Sequence, residues 1–480
     1  MSEHASFSNE ESYIDDDESS GKGVLRIASV AALGGFLFGY DSAVINGAVE
    51  PIQRQFNVAS GPLGFAVASA LLGAAAGAMS AGRIADRVGR LMVMKIAAVL
   101  FFISAVGCGL APNLEFLVIF RIVGGLGVGL ASVIAPAYIA EIAPPKIRGR
   151  LGSLQQLAIV TGIFLSLLVD YLLAKAAGGA GEMLWLGLEA WRWMFIAMVV
   201  PAVIYGLLAM TIPESPRYLV SRHKIAEARQ ILTSLLGEKG IDVTIERIQK
   251  SIERDEAPSW RDLKGPTGKI YPIVWVGLAL SVFQQFVGIN VIFYYSNILW
   301  QAVGFTEEHS FVITVITSVV NIATTLVAIA TVDRVGRKPL LVIGSIGMTV
   351  ALATMAVVFG TAPMGPDGTP ALTGIAGPIA LIAANVFVIS FGMSWGPVVW
   401  VLLGEMFPNR IRAAALSLAA AGQWVANWVI TTTFPGMKDI SLGLAYGFYA
   451  VFALLSLFFV LKFVRETKGR TLEDMDAVNA

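Results

Sequence analysis

Apolar runs of roughly 20 residues recur along the whole chain, separated by short polar connections, and each is long enough to cross about 30 Å of hydrocarbon. The pattern predicts twelve membrane-spanning helices near 25–49, 62–83, 91–111, 115–140, 152–173, 191–212, 271–301, 310–332, 339–360, 373–403, 411–434 and 441–464. They fall into two groups of six. Between the groups lies one long polar stretch, 213–270, in which Ile225, Ala228, Leu232, Leu235 and Ile245, Ile248, Ile252 recur at helical spacing and predict amphipathic surface helices. The expected organisation is an all-α membrane protein: a disordered tail over 1–24, a six-helix bundle over 25–212, a helical linker over 213–270, a second six-helix bundle over 271–465 and a tail over 466–480.

Composition agrees with the pattern, since 56% of the 480 residues are hydrophobic and only 14% are charged, which excludes a soluble core. Thirty-four basic residues balance 34 acidic ones, so no overall field points to nucleic acid. What matters is where the charges sit. Even-numbered connections carry Arg83, Arg87 and Arg90, then Lys146, Arg148 and Arg150, the linker, Arg334, Arg337 and Lys338, and Arg410 and Arg412. Odd connections hold little beyond Arg54, Lys175, Arg192 and Lys438. By the positive-inside rule both termini and the linker are expected in the cytoplasm. The first 22 residues are acidic and Ser-rich and have no signal-peptide pattern, which predicts a cytoplasmic tail. Cys108 stands alone in an apolar run and reads as a small buried hydrophobe.

The two halves repeat each other. GRIADRVGR, from Gly82 to Arg90, is echoed by VDRVGRKP, from Val332 to Pro339. E-x-x-P-x-x-x-R occurs at Glu141–Arg148 and again at Glu405–Arg412, and PESPRYL at 213–219 is answered by RETKGR at 465–470. Three paired motifs in the same order imply two homologous bundles, an arrangement that places a substrate site near the midplane between them. On these motifs, together with Pro136, Tyr138, Glu141, Pro144, Arg148 and Gly149 and the PESPR run from Pro213 to Arg217, the chain resembles the sugar porter family of the major facilitator superfamily over about 25–470. SWGP, from Ser394 to Pro397, and QQFVGIN, from Gln284 to Asn290, are most similar to its bacterial proton-coupled symporters of the xylose, glucose and galactose type.

No nucleophile, metal cluster or phosphate loop stands out, so neither an enzyme nor a cofactor is expected. The glycines of GGLGVG, from Gly124 to Gly129, lie inside a span and predict close helix packing rather than a nucleotide site. Among the few charges within spans, Asp41 and Arg121 are the most informative. Asp41 stands about 16 residues from the start of helix 1 and Arg121 about six from the start of helix 4, which at about 1.5 Å per residue brings both to one depth. Pairing favours the ionised Asp, and separation in a dry environment favours its protonated form, the elements of a proton switch. A static ion pair between two helices is the other reading. The resemblance implies the switch, because the matching Asp and Arg serve proton coupling in the symporters; Met198, where those symporters have a glutamate in helix 6, departs from the pattern.

Uncharged hydrogen-bonding side chains form a second constellation: Gln156, Gln284, Gln285, Asn290, Asn321, Gln423 and Asn427. A neutral polyol needs donors and acceptors together, and amides supply both. Each amide alone also reads as glue between helices. Helix 7 is expected to break near Gly288 and helix 10 near Gly396 and Pro397. Trp395, Trp424 and Phe38 offer apolar faces and Tyr294 a hydroxyl; Trp400 and Trp428 read as packing or interface residues. The resemblance implies sugar contacts for Gln156, Gln284, Gln285, Asn290, Asn321, Trp395 and Gln423. Asp86, Arg87, Arg90, Glu141, Arg148, Glu214 and Arg217, with Asp333, Arg334, Arg337, Glu405, Arg412 and Glu466, stand at helix ends where they can pair across the bundles as gating charges, or serve as topology signals and surface pairs. The expected function is uptake of a monosaccharide with a proton by a monomer in a bacterial cell membrane, the alternatives being a passive sugar carrier and a transporter-like sugar sensor.

Overall fold

The computed structural model describes residues 18–143, 148–238, 240–254, 259–366, 368–408 and 411–468, and is all-helical apart from isolated bridges. The first half comprises α1 (Glu18–Ala43), α2 (Ile45–Gln55), α3 (Ser60–Val88), α4 (Arg90–Gly109), α5 (Leu114–Ile142), α6 (Arg148–Ala177), α7 (Ala190–Ile196) and α8 (Val199–Ala209). Short helices α9 (Pro216–Ser221), α10 (Ile225–Leu236) and α11 (Ile241–Arg254) form the linker. The second half comprises α12 (Pro272–Phe286), α13 (Ile289–Gln301), α14 (Glu307–Val335), α15 (Arg337–Gly360), α16 (Ala376–Gly392), α17 (Trp395–Met406), α18 (Arg412–Ile440) and α19 (Leu442–Phe463). Eleven stretches among the described residues are long and apolar enough to cross a membrane. The twelfth span is α18, whose 29 residues suffice in length.

Four spans are built from two helices each: α1 with α2, α7 with α8, α12 with α13, and α16 with α17. Gly288 carries the third break at φ +83°, where an added Cβ would also press on the Tyr449 ring, so both backbone and packing require glycine. The fourth falls at Met393–Ser394, just ahead of the expected place, because Pro397 lacks an N–H and crowds the carbonyl four residues back. Pro201 acts in the same way on Ala197 between α7 and α8.

Helices pack closely where glycines face a neighbouring backbone. Side chains at Gly73, Gly125 and Gly129 would collide with the carbonyls of Ile122, Ala70 and Ala74 between α3 and α5, which is what the Gly-rich run in α5 is for. The linker makes a small core of its own from Leu219, Val220, Ala228, Leu232, Ile241 and Ile245. It lies against the end of α3, where Tyr218 Oη donates to Arg87 O and Arg222 Nη2 to Asp86 O, and this defines a linker end and an opposite, distal end of the molecule.

The two halves meet at the distal end. Asn46 Nδ2 donates to Phe293 O at 2.9 Å, and Asn46 Oδ1 accepts from Asn297 N at 3.0 Å. Ser60 bonds Asp439, and Glu307 accepts from Ala180 N at 2.6 Å. At the linker end the charged motifs close within each half instead. Arg90 forks onto Glu141 at 2.9 and 3.1 Å and reaches Asp86 at 3.3 Å; Arg337 forks onto Glu405 at 2.6 and 3.0 Å and reaches Asp333 at 3.1 Å.

Candidate functional site

The glycines of the two D-R-x-G-R motifs explain why the linker-end clusters match. Gly89 and Gly336 take φ +95° and +102° between consecutive spans, and a carboxylate from further along the chain fills the space left by the missing side chain. Glu214 accepts from the N–H groups of Arg90 and Leu91, and Glu466 from those of Arg337 and Lys338, each at the start of a helix where free N–H groups favour an anion. Ser215 bonds Glu141 and Thr467 bonds Glu405, tying the same carboxylates into the forks. Arg217 donates to Ser251 Oγ, and Arg412 to Phe407 O. Arg87 and Arg334 are exposed. The Arg148 side chain lies outside the described residues.

Asp41 in α1 and Arg121 in α5 come together, each 2% exposed. Arg121 Nη1 donates to the main-chain oxygen of Asp41 at 2.9 Å and stands 4.0 Å from Asp41 Oδ2, while Nη2 donates to Val67 O at 3.3 Å. Asp41 Oδ2 and Arg121 Nε have no hydrogen-bond partner among the described residues. The guanidinium is thus anchored mainly on carbonyls, and the carboxylate is held loosely. Gly124 leaves it room, since an added Cβ would lie 2.9 Å from Asp41 Oδ1.

The pair opens onto a narrow pocket lined from the first half by Phe38, Asp41, Ser42 and Arg121 and from the second by Tyr294 and Trp424. On the second half, Gln284 Nε2 donates to Trp395 O at 2.8 Å and Gly396 O at 3.0 Å, satisfying carbonyls at the helix 10 break. Gln285 Nε2 lies 3.5 Å from Gln284 Oε1, and Asn290 Nδ2 donates to Gln285 Oε1, so three amides on either side of the Gly288 break form one chain.

Other expected residues stand apart from that pocket. The Trp395 ring is fully buried, its indole N–H shared between Ser345 Oγ at 2.8 Å and Leu341 O at 3.2 Å, so its face supports the helix 10 break from within the second half. Gln156 is exposed on α6, whereas its neighbour Gln155 is buried against Gly35 of α1. Asn321 and Gln423 are partly buried, and Asn427 accepts from Thr431 Oγ1 within α18. Met198 is buried at the junction of α7 and α8. Sequence reasoning passed over Asn46, which joins the halves, and Asp170, a second carboxylate with no exposure; a lone acid in the apolar run LSLLVDYLL was the available signal.

A two-half helical membrane protein with a pocket between its halves is a solute transporter by architecture. The model for the family "Sugar (and other) transporter" matches residues 27–478, and the chain belongs to this family, the sugar porters of the major facilitator superfamily. Over 456 residues it is 57% identical to a glucose transport protein of Synechocystis sp., covering 95% of this chain and 97% of that one. It is 40% identical to the D-xylose-proton symporter of Escherichia coli, covering 95% of each. Among solved structures it is similar to the inward-open xylose transporter XylE of E. coli, with a TM-score of 0.80 at 38% identity over 95% of this chain and 99% of that one. The same symporter bound to 6-bromo-6-deoxy-D-glucose matches at 0.76 and 39% identity over 96% and 100%. The protein is therefore a multi-pass membrane sugar transporter and not an enzyme.

Proposed function

We propose that the protein carries a monosaccharide together with a proton by alternating access, with Asp41 and Arg121 as the proton switch and the space between the halves as the sugar site. The observation that carries this reading is that Asp41 and Arg121 line the same pocket as Phe38, Tyr294 and Trp424. A proton on Asp41 and a sugar in that pocket then act on one another directly, and coupling needs no relay across the molecule. The loose 4.0 Å contact supports it as well, because Arg121 keeps its two carbonyl partners when the carboxylate is neutralised.

Gln285 and Asn290 supply hydrogen bonds to sugar hydroxyls beside the helix 7 break, with Gln156, Asn321 and Gln423 joining as the halves close; Gln284 and Trp395 hold the floor beneath. Each linker-end cluster keeps its half rigid and becomes a gate when the halves meet there. Because basic residues gather at the linker end, that end and both termini face the cytoplasm of a bacterial cell. The closed distal end is then the outer one, in line with the similarity to the inward-open symporter structure. One chain supplies both walls of the pocket, so the monomer is the transporting unit.

Passive sugar transport is the second reading, favoured by Met198, which leaves helix 6 without an acid at the junction of α7 and α8. Uptake of labelled D-glucose and D-xylose into proteoliposomes, with and without an inward proton gradient, separates the two. Accumulation beyond equilibrium that requires the gradient supports symport. Equilibration regardless of the gradient makes the protein a facilitator, and no uptake of any monosaccharide removes the site assignment.

A further inference from the structure

Asp170 sits on α6 about 10 Å from its distal end, fully buried. Its Oδ2 accepts from Gly47 N at 3.2 Å, and its Oδ1 has no hydrogen-bond partner among the described residues. Gly47 allows this approach by having no side chain, since an added Cβ would lie 2.6 Å from Oδ2.

The surrounding titratable groups offer no counter-charge. From α1, Tyr40 brings no positive charge and its hydroxyl has no hydrogen-bond partner among the described residues, and Asp41 beside it is engaged with Arg121. On α2, Arg54 is taken by Glu50. On α7, Arg192 is bonded to Glu189 and to the carbonyls of Gly109 and Ala111. Glu307 of α14 accepts from Ala180 N beside His309, and on α6 itself Lys175 lies over the Tyr171 ring. Among the described residues no cation stands within ion-pair reach of Asp170. A carboxylate with one backbone donor and no counter-ion is costly to keep ionised in a dry interior.

The cover over this carboxylate is also part of the distal closure. Asn46 ties α2 to Phe293 and Asn297 of the other half, and the next residue, Gly47, is the one that covers Asp170. Separation of the halves at the distal end therefore moves the segment that seals the carboxylate. We infer that Asp170 is a second proton-binding site, which takes a proton from water on the distal side when α2 is withdrawn and is sealed in its protonated form as α2 closes. The step is a simple transfer from hydronium or a buffer acid to Asp170 Oδ1. It goes beyond the symport reading, since this proton is bound on closure and given back to distal water on reopening rather than carried across, and its test uses no sugar, so the two stand or fall separately.

Because the closed state binds this proton more tightly, lowering the pH favours closure. Spin labels at Asn57→Cys and Thr373→Cys, both exposed near the distal end, in a Cys108→Ser and Asp41→Asn background, read the distance between halves with the first site silent. The closed-to-open ratio is expected to rise as pH falls, by up to about tenfold per unit for one linked proton, and Asp170→Asn is expected to flatten that response. An unchanged response in Asp170→Asn, or none in its parent, overturns the proposal. Should Asp170→Asn fail to fold, infrared spectra of the Asp41→Asn protein decide: a protonated-carboxyl band at neutral pH that shifts with ¹³C-aspartate labelling is expected, and its absence is the contrary result.

Discussion

Gln284 and Gln285 are neighbours in the chain and differ in what their amides are free to do. Gln284 spends its donor on Trp395 O and Gly396 O, so Gln284→Ala is expected to lower the melting temperature through unpaired carbonyls at the helix 10 break. Gln285 and Asn290 bond chiefly to each other, and either alanine substitution is expected to leave the fold intact and weaken sugar binding by about 1–3 kcal/mol. Calorimetric titration beside thermal melts separates the effects; equal losses of stability from all three would contradict the division. At this scale the helical rise was enough to match Asp41 with Arg121 in depth, because both lie well inside their spans. Asp170 stood out only as a lone acid in an apolar run, and three residues before the expected end of its span at 173 it reads as interfacial; α6 runs on to Ala177 and buries it. Trp395 was legible as a residue of the break, but nothing in its spacing tells that Ser345 and Leu341 hold its ring inward.

Helix breaks show the same limit among elements. Gly288, Pro397 and Pro201 mark three of the four by a local rule, although only the first two were read from the sequence, whereas the turn at Val44 between α1 and α2 has no such residue. Gly288→Ala must force an alanine into the left-handed region at roughly 1–2 kcal/mol and also displace the Tyr449 ring. A lower melting temperature together with weaker sugar binding is expected; an unchanged protein would mean that the break does not shape the site. At the linker end, burial by itself would raise the pKa of Glu466, but the N–H groups of Lys468, Arg337, Lys338 and Thr467 outweigh it and hold the carboxyl below the ordinary glutamate value of 4.5. A depressed value contributes stability that is present above the ordinary range and lost as pH falls through the lowered one. Glu466→Gln is therefore expected to cost stability at neutral pH and to diminish the loss on acidification in thermal melts. Parallel curves for variant and wild type would contradict this.

Across the whole molecule, the paired motifs made two related halves legible from the sequence, and the order of spans made the midplane the place to look. Which end is closed was not legible, because a carrier that alternates has one sequence and two arrangements; Asn46, Ser60 and Glu307 record the distal closure only in the structure. The pocket places a titratable pair and candidate sugar contacts in one cavity, and the central claim is that Asp41 converts that neighbourhood into coupling. Asp41→Asn keeps the size of the side chain and much of its hydrogen bonding while removing the titrating group. The most direct test is proton uptake on sugar addition to reconstituted wild type and Asp41→Asn, with sugar binding measured across pH in parallel. The expected result is uptake by the wild type, none by the variant, and sugar affinity that varies with pH only in the wild type. Uptake by Asp41→Asn at the wild-type ratio, or no proton movement in the wild type, would contradict it.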